Sequence, residues 1–96
     1  MRKIEELART AFYNGYNFKR SNTEVKISDD SVNYYLHGNL IAKKSLNTGT
    51  IYMTLSGWNT ATTKSRLRSL GANLTTKNSR VFHGLTEIST TSWFYL

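Results

Sequence analysis

Cysteine and proline are both missing from the 96 residues. Without a thiol there is no disulfide framework, no thiolate zinc or iron–sulfur site and no cysteine nucleophile, and the composition suits a reducing compartment. Histidine occurs only as His37 and His83, too few for a histidine-rich metal centre, so the sequence predicts no metal and no cofactor. No apolar run reaches the roughly 18–20 residues of a membrane-spanning helix. Glu5 and Glu6 stand where a signal peptide would carry its apolar stretch, so the protein is expected to work away from membranes. Acids are also scarce. Residues 31–96 carry seven Lys and Arg against Glu87 alone, whereas residues 1–30 are nearly balanced with six bases and five acids.

What remains is a chain of 11.0 kDa with 39% hydrophobic and 12% aromatic residues, enough for one folded domain over 1–96. The formal charge of +7 lies almost wholly in the last two thirds. Such a field attracts polyanions: nucleic acid, an acidic protein or anionic lipid.

Hydropathy periodicity organises the chain. Ile4, Leu7, Ala8, Ala11 and Phe12 form one helical stripe, and Asn14-Gly15 offers a left-handed stop, which predicts a helix over 2–14. Four alternating segments follow, over 23–27, 32–37, 40–46 and 50–55, separated by Ser28–Ser31, Gly38-Asn39 and Asn47–Gly49 as turns. A second helix is expected after Trp58, capped by Asn59 or Thr60, with Thr63, Leu67, Leu70 and Leu74 inward and Gly71 near its end. Two last strands are expected at 79–83 and 91–95, joined by a polar loop. The order α-β-β-β-β-α-β-β describes an α+β domain: an antiparallel sheet of four to six strands with both helices on one face.

Between residues 36 and 68 the motifs become specific. Leu36-His-Gly-Asn-Leu-Ile-Ala42 contains a His-x-x-x-Ile-Ala strand, and Gly57 to Leu67 reads Gly-Trp-x-Thr-x-Thr-Thr-x-x-Arg-Leu. With Trp93-Phe94 near the C-terminus, this pattern resembles a family of small phage-encoded proteins. The resemblance implies phage origin and a working place in the cytoplasm of a bacterial host; it implies no activity.

Two groups of residues suggest chemistry. Thr60, Thr62, Lys64, Arg66 and Arg68 combine a hydroxyl-rich helix start with bases, a pattern suited to phosphate. Its structural reading is a capped helix with a solvated basic flank and Trp58 anchoring its start in the core. Lys43 and Lys44, flanked by Tyr34, Tyr35 and Tyr52, offer ammonium groups beside aromatic faces, as single-stranded nucleic acid requires. Cross-strand packing and protection of an edge are the structural reading there. Lys77 and Arg80 add two further bases.

Enzyme signals are weak. Glu24-Val-Lys26 matches half of a metal-dependent nuclease motif, but no aspartate precedes it. The helix–strands–helix outline also resembles a double-stranded RNA-binding domain, without its Gly-Lys-rich loop. The sequence thus predicts a non-enzymatic phage protein that binds DNA or RNA mainly through phosphates, as a monomer or weak homodimer. The alternative is a non-catalytic inhibitor that docks on a host protein.

Overall fold

In the computed structural model, residues 2–96 contain two helices and nine strands. Helix α1 (Lys3–Asn14) is followed by β1 (Phe18–Arg20), β2 (Thr23–Ile27), β3 (Ser31–Leu36), β4 (Asn39–Ser45) and β5 (Ile51–Met53). Then come α2 (Ala61–Ser69), β6 (Leu74–Lys77), β7 (Arg80–His83), β8 (Thr86–Ile88) and β9 (Phe94–Tyr95).

The apolar stripe of α1 faces inward as its periodicity requires. Ala8, Ala11 and Phe12 are fully buried, and Ile4 and Leu7 half so. Gly15 takes φ +76° and returns its N–H to the Ala11 carbonyl, which ends the helix. Helix α2 starts at Thr60, whose hydroxyl accepts from the Thr63 N–H at 3.1 Å. It ends in a Schellman arrangement: Gly71 donates to Arg68 and Ala72 to Leu67. Leu74, expected on the helical stripe, therefore lies on β6 instead.

The strands form an antiparallel sheet ordered β1-β2-β3-β4-β5-β9 and a separate three-stranded sheet, β6-β7-β8. Strands β1, β6 and β8 were not expected, because they are three or four residues long and mostly polar, leaving no alternation to read. The β3–β4 hairpin turns at His37-Gly38, with φ +51° and +78°, and not at Gly38-Asn39. Histidine tolerates the left-handed region better than most residues, so Leu36 and Asn39 close the ladder. One residue further along, Tyr34 pairs with Ala42 and Tyr35 with Leu40. Ile41 is the extra residue of this bulge, which is why Ile41 and Ala42 are both buried although adjacent.

Both helices cover one face of the large sheet. Val25, Val32, Tyr34, Leu36, Ala42 and Met53 from that face meet Phe12 of α1 and Leu67 of α2 in a single core. Leu74 and Val81 of the small sheet join the same core.

One ion pair lies inside this packing. Arg66 of α2 donates from Nη1 to Glu5 Oε2 of α1 at 2.8 Å, and both side chains are only 4% exposed. Arg66 Nε also donates to Thr23 Oγ1 at 3.1 Å, and Ser65 Oγ donates to Glu5 at 2.6 Å. Burial pushes the Glu5 carboxyl up, but the hydrogen bonds from Ser65, Arg66 and the Arg2 backbone, with the Arg66 charge, hold it below its ordinary value. Nearby, the Tyr34 hydroxyl is fully buried with no hydrogen-bond partner among the described residues, and burial raises its pKa.

Candidate nucleic-acid interface

The structure separates the residues expected at the start of α2. Arg66 is committed to the buried pair and presents nothing to solvent. The Thr60 and Thr63 hydroxyls lie 2.9 Å apart and serve the helix cap. Lys64 Nζ donates to Thr76 of β6 at 2.7 Å, and Arg68 Nε donates to the Leu74 carbonyl at 2.9 Å. These two bases hold the small sheet against the helix. Lys77 and Arg80 face each other at the end of the β6–β7 hairpin, where Arg80 reaches Glu87 at 3.9 Å. The five bases therefore do not gather around one anion site.

Trp58 also departs from expectation. It is 55% exposed, because the left-handed turn at Ser56-Gly57 carries it out of the sheet while Leu55 and Leu67 fill the core beneath. It borders a cleft of about 280 Å³ with His37, Ile41, Thr60 and Thr62, so two motifs distant in sequence meet there.

The open face of the large sheet is where basic and aromatic residues converge. Bonded neighbours run Lys26, Asn33, Lys43, Tyr52, Tyr95 across five strands. The adjacent row holds Lys19, Glu24 and Tyr35. All point away from the helices, because Val25, Tyr34, Ala42 and Met53 alternate with them into the core. Lys26 Nζ lies 5.9 Å above the Tyr35 ring, and Lys43 Nζ lies 5.9 Å above the Trp93 ring. Tyr52 and Tyr95 pack at 5.1 Å between centroids.

At the β5–β9 end of this face, Asp30, Lys43, Asn47, Tyr52, Trp93 and Tyr95 line a cleft of about 510 Å³. Trp93 is 46% and Tyr95 66% exposed, while Phe94 between them turns inward against His83. Lys44, by contrast, points to the helical side, where its Nζ donates to the Tyr13 carbonyl at 2.6 Å and caps the end of α1. The expected pair of lysines is thus split, one on each face. Tyr35 and Tyr52 do stand on the open face, as their parity requires. Lys19, Lys26 and Asp30 were missed as site residues, although Lys26 has opposite parity to the buried Val25 and so signals the open face.

Among the described residues, no three His, Asp or Glu side chains gather to hold a metal ion. No helix among them is long and apolar enough to cross a membrane. No curated protein and no solved structure matches the chain. The profile of one protein family does match, over residues 1–93, and this near-complete span places the chain in the phage family described as Kyanoviridae Gp96 protein.

Proposed function

We propose that this phage protein is a non-catalytic nucleic-acid-binding protein, working in the host cytoplasm, whose contact surface is the open face of the six-stranded sheet. The cleft that gathers Tyr52, Trp93 and Tyr95 around Lys43 carries the reading. Exposed aromatic rings supply stacking platforms for bases, and ammonium groups beside them hold the backbone. Three lysines, Lys19, Lys26 and Lys43, are spread along the sheet at strand spacing, so a strand laid across it meets positive charge along its course. The helix start makes a weaker offer, since the Thr60 and Thr63 hydroxyls serve its cap, Arg66 is buried against Glu5, and Lys64 and Arg68 each bond the small sheet.

Fluorescence anisotropy with a labelled oligonucleotide tests this. Tyr52→Ala and Trp93→Ala are each expected to weaken binding by about 1–3 kcal/mol. Lys43→Ala should weaken it and flatten the salt dependence, whose slope for three phosphate contacts on a single strand is about −2. Lys64→Ala and Arg68→Ala should leave affinity nearly unchanged. Binding lost in the α2 variants and kept in the cleft variants would transfer the site to the helix. Affinity indifferent to salt would remove the phosphate contacts altogether.

One observation favours docking on a host protein. Leu85, at the tip of the β7–β8 hairpin, is fully exposed, the setting of an apolar anchor. A host protein retained stoichiometrically after nuclease treatment, and released by Leu85→Ser, supports that second reading. Retention that Leu85→Ser leaves unchanged removes it.

A further inference from the structure

A surface that only gripped phosphate would have no use for a carboxylate, yet Asp30 lines the same cleft as Lys43. Asp30 takes part in no ion pair among the described residues. Its backbone is fixed, because its carbonyl accepts from the Leu46 N–H at 2.9 Å and ties the β2–β3 turn to the end of β4. Among the described residues its carboxylate receives one long contact, from Ser28 Oγ at 3.4 Å, which leaves acceptor capacity free.

A carboxylate repels a phosphate backbone and attracts N–H donors, so in a nucleic-acid site it belongs opposite a base edge. The bases differ in what they offer. Guanine presents two parallel donors, N1–H and the 2-amino group, that match both oxygens of a carboxylate. Adenine and cytosine offer one amino group beside a ring acceptor, and uracil one N–H between two carbonyl oxygens. Those flanking acceptors oppose a carboxylate. The same guanine edge is consumed by pairing in a duplex, so only an unpaired base can present it.

We infer that this cleft selects an unpaired guanine, stacked against the Tyr52, Trp93 and Tyr95 rings, with Asp30 accepting from its N1–H and 2-amino group. Asn47, on the same rim, supplies an amide donor for the neighbouring O6. Lys43 holds the adjoining phosphate. The inference rests on the reading of the sheet face as a nucleic-acid site and names which nucleic acid that site prefers.

The test compares short fluorescein-labelled uridine strands that carry one central guanine, adenine, cytosine, uridine or inosine. The guanine strand should bind roughly tenfold tighter than the others, as a good bidentate pair allows. Inosine, which lacks the 2-amino group, should lose most of that advantage. Asp30→Asn should bring guanine level with uridine while leaving the uridine strand bound at least as well as before. Equal affinity for all five strands, with binding still sensitive to Lys43→Ala, overturns the guanine preference and leaves the sheet-face site standing. A guanine preference that survives Asp30→Asn overturns the role of Asp30. No binding of any strand overturns both readings.

Discussion

Replacing Arg66 by alanine is expected to cost about 3–5 kcal/mol of folding stability, the usual penalty for removing one partner of a buried ion pair. The structure supplies the reason. Arg66 and Glu5 are both 4% exposed, so the variant leaves a carboxylate inside the protein without its counter-charge. Ser65 and the Arg2 N–H still donate to Glu5, at 2.6 and 3.4 Å, but neither carries a full charge in that contact. Thr23 loses its bond to Arg66 as well. Against a total of about 5–15 kcal/mol for a domain, this is a large share.

Urea unfolding followed by circular dichroism measures the effect as a lower midpoint at unchanged slope. Glu5→Gln combined with Arg66→Met should recover much of the loss, since neither charge then remains to be solvated. The pH dependence carries a sign. The folded carboxyl of Glu5 sits below its ordinary value of about 4.3, so its stabilising contribution is present above that pH and is lost as pH falls through the lower folded value. In Arg66→Ala, burial no longer has that charge against it and the carboxyl shifts up. As pH falls, the gap between the parent and the variant should therefore begin to narrow above about pH 4.3, where the raised carboxyl of the variant takes up its proton, and go on narrowing until the lowered carboxyl of the parent is protonated. A loss under about 1 kcal/mol, or a gap that ignores pH, would refute the reasoning.

Two further perturbations separate buried from exposed aromatics. Tyr34→Phe removes a buried hydroxyl that has no partner among the described residues; it should stabilise by about 1 kcal/mol and raise the thermal midpoint by roughly 4–8 °C. A lower midpoint would show that the hydroxyl is satisfied. Trp58→Ala should cost less than about 1 kcal/mol because the ring is 55% exposed. A thermal scan showing a loss of 3 kcal/mol or more, the scale of a buried aromatic, would put the indole back in the core.

The first helix and the meander were legible because each carries a repeating apolar signal ended by turn chemistry. The small sheet was not. Its strands offer Leu74, Val81 and Ile88 as their inward residues, one per strand, and a period needs more points than that. The position of Arg66 was written in the sequence and overlooked. It stands three residues after Thr63 and four before Leu70, on the buried stripe of α2, while Lys64 and Arg68 do not. Glu5 likewise precedes Ala8 and Phe12 by three and seven residues, on the buried stripe of α1. Two opposite charges, each placed on an apolar stripe, point to a buried pair between helices. Trp58 offered no such signal, since Leu55 and Trp58 compete for one place and only the Ser56-Gly57 turn decides between them.

Charge and contact therefore have to be weighed separately. Of the seven bases after residue 30, Arg66 and Lys44 spend their donors inside the fold, and Lys64 and Arg68 bond the small sheet. Bonding within the protein leaves their charges in place, so the long-range field of a +7 chain still draws a polyanion in. Close contact needs exposed groups, and on the sheet face these are few and interleaved with Glu24 and Asp30. On the proposed reading the two tasks fall to different residues. The whole basic complement sets the rate of encounter and its dependence on salt, whereas the aromatic cleft sets how long the strand stays. Cleft substitutions should then act mainly on dissociation and leave association almost untouched, which stopped-flow kinetics resolves. Substitutions of Lys64 or Arg68 should do the reverse, slowing association slightly at low salt and leaving dissociation alone.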